Sequence, residues 1–338
     1  DENDYLFLNG EDRQVVDVFE EQSIANMQRI AANNKLLVID EAQKIPEIGQ
    51  KLKLLIDHNP SISVIATGSS MFDLQYKMGE PLVGRSWTLN LYPLAQMEFD
   101  AEEDVFTTKA KLEERLIFGG YPELLHLDSW QEKEEYLLEL VSGYLLRDLL
   151  EFGGIRKSEK IMDLLRLIAF QVGNEVNIDE LAANLKGISR NTIETYLDLL
   201  SKVFVIYKVP GFSRNLRKEV TKMSKWYFYD NGVRNAVINN FSGLKLRMDT
   251  GNLWENYLMI ERKKLHAYNS TNVGHYFWRT YDQQELDLLE ESGGQLNAFE
   301  FKYNPKKKAK VPMGFSKAYP EATFTCIDSS NYLDFITP

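Results

Sequence analysis

Lys35-Leu36-Leu37-Val38-Ile39-Asp40-Glu41 is the stretch on which the reading of this chain turns. Four apolar residues without alternation predict a strand covered on both faces, as in the parallel sheets of α/β proteins. The two acids that follow stand at the carboxyl end of that strand, where open α/β sheets bind their ligands. Working outward, Tyr5–Leu8 predicts an earlier strand and Phe19–Ala32 a helix, with Ile24, Met27 and Ile30 at helical spacing. A helix over Ile48–Asp57 follows, then a strand over Ser61–Ser70 that ends in Thr67-Gly68-Ser69-Ser70. Strands alternating with helices in this way predict an α/β fold.

Two acids at a strand end have an ordinary reading, solvation of the turn, and a functional one. In nucleotide hydrolases the first acid holds Mg²⁺ and the second polarises the attacking water. Small hydroxyls at the end of the next strand suit the sensing of a terminal phosphate. The Ala42-Gln43 continuation and the spacing to Thr67 favour function.

Leu37-Val38-Ile39-Asp40-Glu41-Ala42-Gln43 resembles the Walker B motif of a large prokaryotic group of AAA-type P-loop ATPases. Ile65-Ala66-Thr67-Gly68-Ser69-Ser70 is similar to their sensor strand. Leu82-Val83-Gly84-Arg85, Leu91-Tyr92-Pro93-Leu94 and Glu98 are similar to the segment after it. The resemblance implies ATP and Mg²⁺ as cofactors, Asp40 as the Mg²⁺ ligand and Glu41 as the residue that activates water. It implies phosphate sensing by Ser69 or Ser70 with Thr67 beside them. Arg85 would be a transition-state or interface arginine, acting in trans if the protein is an oligomer; a surface salt bridge is its alternative role. A P-loop needs Gly-x-x-x-x-Gly-Lys-Ser/Thr to cradle phosphates, and the sequence has no Gly-Lys dipeptide. In the resembling family that loop lies just before the point where Asp1 stands. The expectation is therefore a truncated ATPase core that by itself binds ATP poorly.

The 338 residues suggest two or three domains, and 44% hydrophobic with 26% charged residues is ordinary globular composition. No apolar run approaches the length of a membrane span. One cysteine, Cys326, excludes an intrachain disulfide and suits a reducing, cytoplasmic compartment. His58, His126, His266 and His275 show no zinc-ligand spacing. The net charge of −11 is concentrated in the first 154 residues, whereas residues 155–240 are net basic. That balance argues against a nucleic-acid coat but leaves room for one basic contact surface.

Residues 108–154 read as a helical connector, with a Gly119-Gly120-Tyr121-Pro122 break and a helix over Glu132–Leu150 that carries Arg147-Asp148. From Ser158 the pattern is helix, short helix, turn, helix over Arg190–Lys202, then a strand over Val203–Tyr207. This is the layout of a winged helix, which would offer Arg190, Asn191, Thr195 and Lys202 to DNA. Glu194 and Asp198 share that face and oppose phosphate binding, so a protein contact is the competing role. Ser213–Lys218 is a candidate wing, or else a solvated turn.

In the last third, Trp226–Gly232 predicts a strand ending in a turn. A helix opens at Gly251 and runs to about Leu265, and strands are expected over Tyr276–Arg279, Glu285–Glu290 and Leu296–Lys302. Period-two geometry sets Glu285 and Asp287 on one face, and likewise Glu300 and Lys302. Carboxylates that hold Mg²⁺ or Mn²⁺ beside a lysine are equipment for phosphodiester hydrolysis. Asp287, Glu300 and Lys302 resemble the PD-(D/E)xK restriction-endonuclease-like site, with Glu255 similar to the acid on its preceding helix. Leu286 stands where that pattern has proline, which puts retained catalysis in doubt. The expected organisation is an AAA-type core lacking its P-loop (1–107), a connector (108–154), a winged-helix-like region (155–225) and a nuclease-like α/β domain (226–338). Two rivals stand beside it, a metal-dependent nuclease on a scaffold and a non-enzymatic binding module for nucleic acid or protein.

Overall fold

Strand-end residues are what the fold positions, so the sheets come first. The computed structural model describes residues 5–32, 34–68, 82, 84–99, 103–145, 158–213, 224–280 and 282–338. The chain divides into two compact units, Asp1–Leu89 with Lys202–Phe204, and Asn90–Ser201 with Val205–Pro338.

In the first unit, strands β1 (Tyr5–Asn9), β2 (Leu36–Asp40) and β3 (Ser63–Ala66) are parallel in the order β1-β2-β3. Helices α1 (Arg13–Glu20) and α2 (Ile24–Ala31) connect β1 to β2, and α3 (Ile48–His58) leads to β3. Registers of Leu8 with Ile39 and of Ile39 with Ala66 put one row of side chains on one face. There Leu37 and Ile39 are buried with Phe19, Met27, Ile48, Leu52 and Leu55. Each such side chain contributes roughly 1.5–3 kcal/mol on burial. The other face is different from what the apolar run predicts. Leu36 and Val38 are only half-buried, and among the described residues Tyr5, Phe7 and Ile65 are each more than half exposed. This sheet is covered on one side only by the described residues.

The expected helix over Phe19–Ala32 is two helices. Ser23 caps α2 through the Asn26 N–H, and buried Asn26 donates to the Val18 and Glu21 carbonyls at the end of α1. Local capping outweighs the apolar periodicity that runs across both segments.

The second unit contains α4 (Leu112–Phe118), α5 (Trp130–Glu139) and α6 (Ser158–Phe170), then β4 (Glu175–Val176), α7 (Ile178–Asn184) and α8 (Arg190–Lys202). Strands β5 (Ile206–Pro210) and β6 (Ser224–Phe228) complete an antiparallel sheet, order β4-β6-β5. Next come α9 (Asn231–Val237) and α10 (Thr250–Tyr268). The last sheet is built from β7 (Gly274–Arg279), β8 (Glu285–Ser292), β9 (Gln295–Lys302) and β10 (Thr323–Asp328), in the order β10-β9-β8-β7. The first three form a meander; α11 (Met313–Ala318) crosses over so that β10 lies parallel to β9. Helix α10 packs against both β6 and β9. Its fully buried Trp254 meets Tyr303 and Tyr332 edge-on at 5.6 and 5.4 Å.

Three further expectations change. The helix from Glu132 begins at Trp130, where Ser129 and Glu132 form a capping box; it passes at Leu140 into a wider π turn ending at Leu145. Arg147 and Asp148 lie outside the described residues. Val203 and Phe204 are not strand: Phe204 has φ +56°, and β5 starts at Ile206. The strand at Trp226 stops at Phe228, because the Asp230 carboxylate caps α9 through the Val233 N–H at 3.0 Å. The same carboxylate accepts from Gly120 N at 2.8 Å, and a Cβ on Gly119 would collide with its two oxygens. That contact excludes a side chain at Gly119, and the Leu94 carbonyl oxygen excludes one at Gly120. No described helix is long and apolar enough to cross a membrane.

Candidate functional site

Asp40 ends β2 beside Asn9 of β1, at the carboxyl edge of the parallel sheet. The Thr67 hydroxyl donates to Asp40 Oδ1 and accepts from the Glu41 N–H at 3.3 Å, so the two strand ends are tied together. Ala42 N donates to the Thr67 carbonyl at 3.0 Å. Glu41 adopts the left-handed region, φ +49°, and Gln43 Nε2 donates to its carboxylate at 2.5 Å. Gly10 N reaches the Asp40 carbonyl at 2.7 Å, and a Cβ there would collide with the Glu41 carbonyl oxygen. Only glycine lets β1 turn this close to the two acids. The donor set fits a hydrated Mg²⁺: Asp40 has one oxygen committed to Thr67, and its second is not used in any described hydrogen bond. Ser69 and Ser70 fall outside the described residues. Arg85 is paired with Asp57, both partly exposed.

In the second unit α10, β6, β8 and β9 bring a second group together. Lys225 of β6 is 1% exposed and lies 2.5 Å from Glu285 Oε1 and 3.4 Å from Glu255 Oε1. Tyr227 OH donates to Glu255 Oε1 at 2.7 Å. Asp287 Oδ2 accepts the Phe301 N–H at 2.7 Å, beyond the last ladder pair, Leu288 with Phe299. Lys302 Nζ donates to Glu300 Oε1 at 2.6 Å. Burial drives the Glu255 carboxyl up to about 7; Lys225 pulls it back and Asp287 adds to the rise. Burial also raises Asp287, against the pull of Lys225, and raises Glu300, where the charge of Asp287 reinforces it. Burial pushes the Lys225 ammonium down, but Glu255, Asp287 and Glu285 together hold it above its usual value. Four carboxyls thus share two ammonium groups, an arrangement that an added cation would relieve.

Asp287 and Glu300 with Lys302 come together on neighbouring strands, and Glu255 of α10 joins them. Lys225 was missed, although a lysine inside the apolar run of β6 was the visible signal. The proposed DNA-reading residues are less available. Arg190 is held by Asp179 at 2.8 Å and by Glu194 at 3.1 Å, and the Thr195 hydroxyl donates to the Asn191 carbonyl at 2.9 Å. Asn191 is exposed, and Lys202 closes α8. The histidine spacing also misled: His266 and His275 meet Glu290 in space, with ligand atoms within 4.8 Å of one another. Residues from a helix end and two strands leave no short sequence spacing to recognise.

Comparison with known families matches residues 1–100 to an AAA domain. Residues 109–244 and 250–331 match two domains of unknown function, DUF8612 and DUF4143. An uncharacterized protein of Methanocaldococcus jannaschii, MJ1544, is 26% identical over 85% of this chain and 66% of its own length. The uncharacterized protein Rv2008c of Mycobacterium tuberculosis is 27% identical over 82% of this chain and 60% of its own length. An uncharacterized protein of Haemophilus influenzae is 25% identical over 86% of this chain and 72% of its own. The chain therefore spans about three fifths to two thirds of the length of the first two. The crystal structure of protein VC1899 from Vibrio cholerae aligns at 10% identity with a TM-score of 0.18, too low to carry an argument. Together the matches support an AAA-type ATPase-like protein with a mixed α/β N-terminal region.

Proposed function

We propose that the complete protein binds and hydrolyses ATP with Mg²⁺ at the Asp40–Glu41 strand end, and that turnover acts on the C-terminal module. The observation that carries this reading is the Asp40–Thr67–Glu41 network at the carboxyl edge of parallel strands, within a segment that matches an AAA domain. ATP with Mg²⁺ supplies the phosphoryl group whose transfer to water the site would promote. Asp40 holds the hydrated cation and Glu41 orients water. Thr67 ties the Asp40 carboxylate to the Glu41 backbone, and Ser69 or Ser70 senses the terminal phosphate. A glycine-rich phosphate-binding loop would complete the pocket. The test is steady-state ATP turnover and nucleotide binding by the longer polypeptide and by its Glu41→Gln variant. Turnover falling by about 100-fold or more with binding retained supports the assignment; turnover unchanged by that substitution refutes it.

A second reading concerns residues 226–338. Helix α10, the β7–β9 meander and the β10 crossover suit a PD-(D/E)xK-like arrangement, and the raised carboxyls of Glu255, Asp287 and Glu300 favour a divalent cation there. Lys302 would steady the nucleophilic water. Loss of Mg²⁺- or Mn²⁺-dependent DNA cleavage in Asp287→Ala and Lys302→Ala would support it, and cleavage unaffected by either would refute it. The succession α6, β4, α7, α8, β5, β6 suits a winged helix. With Arg190 neutralised by two acids, we assign its exposed face to a protein partner in preference to DNA. The lone Cys326 suits a cytoplasmic location.

A further inference from the structure

A group of metal-ligating side chains lies outside both sites. His266 stands in the last turn of α10, and His275 on β7 is the cross-strand partner of Glu290 on β8. His266 Nε2 is 2.8 Å from Glu290 Oε1, and His275 Nε2 is 3.6 Å from the same oxygen. These separations approach those of neighbouring ligands around one ion at bond lengths of about 2.0–2.2 Å.

Hydrogen bonding sets the ring of His266. The Thr271 hydroxyl lies 2.8 Å from Nδ1 and 3.1 Å from the His266 carbonyl, and it holds the ring so that Nε2 is the nitrogen that faces Glu290. That orientation by a neighbouring hydroxyl is what outer partners of metal-bound imidazoles provide. His275 Nε2 is buried and has no hydrogen-bond partner among the described residues. A buried ring nitrogen without a partner is costly unless something else fills its lone pair. Glu290 is fixed by the Arg262 fork, Nε to Oε1 at 2.7 Å and Nη2 to Oε2 at 3.0 Å.

We propose that His266, His275 and Glu290 form a binding site for a zinc-type transition-metal dication, with its remaining coordination position open to the adjoining cavity. That cavity holds about 310 Å³ and is lined by Tyr207, Lys208, Lys263, Thr271 and both histidines. Two imidazoles and one carboxylate select Zn²⁺, Co²⁺ or Ni²⁺ over Mg²⁺, which prefers oxygen ligands. Three protein ligands with an open position is the arrangement of zinc sites that bind a further molecule, whereas structural zinc sites close with four. Arg262 and Lys263 face the site and oppose the added charge. The site is independent of the Asp40–Glu41 reading and stands if that reading fails.

The experiment is titration of chelator-treated protein with Co²⁺, followed by visible d–d absorption, with Zn²⁺ as competitor. We expect one Co²⁺ per chain, bands of a four- or five-coordinate nitrogen and oxygen site, and displacement by Zn²⁺. His275→Gln should abolish the bands. Thr271→Val, which removes from an exposed position the hydroxyl that orients the His266 ring, should weaken binding about tenfold. Should His275→Gln not fold, Thr271→Val and the Zn²⁺ competition decide. A featureless titration, or Co²⁺ bands of the same affinity in Thr271→Val, overturns the proposal.

Discussion

Replacing Lys225 with methionine removes a charge and keeps the shape of the side chain. Lys225 is 1% exposed and lies against Glu285 and Glu255, with its ammonium 5.5 Å from the Phe277 ring centre. Deleting one partner of a buried ion pair costs about 3–5 kcal/mol, because the other charge is left without compensation. Here the low end applies. Glu255 already sits at about 7 and can take up a proton instead, a relief worth about 1.4 kcal/mol for each tenfold gain in proton affinity. A loss of about 3 kcal/mol in a unit of this size corresponds to a fall in Tm of roughly 6–12 °C. The assay is thermal and urea denaturation of wild type and Lys225→Met, each with and without Mg²⁺ or Mn²⁺. If the acids form a cation site, the dication recovers part of the loss in the variant, and about 2.7 kcal/mol is available at a hundredfold excess over Kd. A loss under about 1 kcal/mol would refute the claim that Lys225 compensates these carboxyls. Equal insensitivity of both proteins to either dication would refute the cation site.

The remaining predictions test the framework. Gly119→Ala should destabilise the protein by about 3 kcal/mol or more, since φ is +77° and the new Cβ collides with the Asp230 carboxylate. Gly187→Ala, at φ +86° with nothing within 4 Å, should cost only about 1–2 kcal/mol, and chemical denaturation of the pair separates collision from backbone strain. Burial raises the Asp249 carboxyl, but hydrogen bonds from Arg247 and the charge of Arg234 outweigh it and hold it well below the usual range. A depressed folded value means that its contribution is complete above the unfolded value of about 3.9 and disappears as the pH falls below it. Asp249→Asn should therefore destabilise at pH 7 by about 2–3 kcal/mol, with the gap to wild type closing below about pH 4 in a pH series of melting curves. Asn256 is fully buried, accepts the Phe228 N–H at 2.7 Å and donates to the Phe228 carbonyl at 3.1 Å. Asn256→Leu should cost about 2–4 kcal/mol by leaving both groups unpaired, read as a shift in the urea midpoint.

Much of the architecture was legible because its signals are local. The hydrophobic run before Asp40 and the second run before Thr67 mark parallel strands, and Arg190–Lys202 is a helix with the bounds that its spacing implies. Alternation along β8 and β9 set Asp287, Glu300 and Lys302 on facing strands before any geometry was known. What escaped depends on partners distant in sequence. The break between α1 and α2 hinges on Asn26 satisfying carbonyls of the preceding helix. The end of β6 at Phe228 depends on Asp230, which one reads as a turn residue until Gly120 is seen against it. Lys225 and the His266–His275–Glu290 group have no motif, since each draws on separate elements. Arg190 looked available for DNA because sequence spacing alone did not bring Asp179 to it.

The grip of Asp230 on Gly120 has a consequence for how the chain is made. The carboxylate joins two stretches 110 residues apart, while Asn231 and Asn235 hold the Leu116 carbonyl from the same helix. A ribosome releases the Leu112–Phe118 segment well before either asparagine leaves the exit tunnel. Those early helices must wait, with apolar flanks uncovered, for a latecomer to lock them, and long-range closure of this kind is slow. Cutting the polypeptide near residue 154 or 225 would part the two halves of the clasp, so the second unit should not fold from either piece alone.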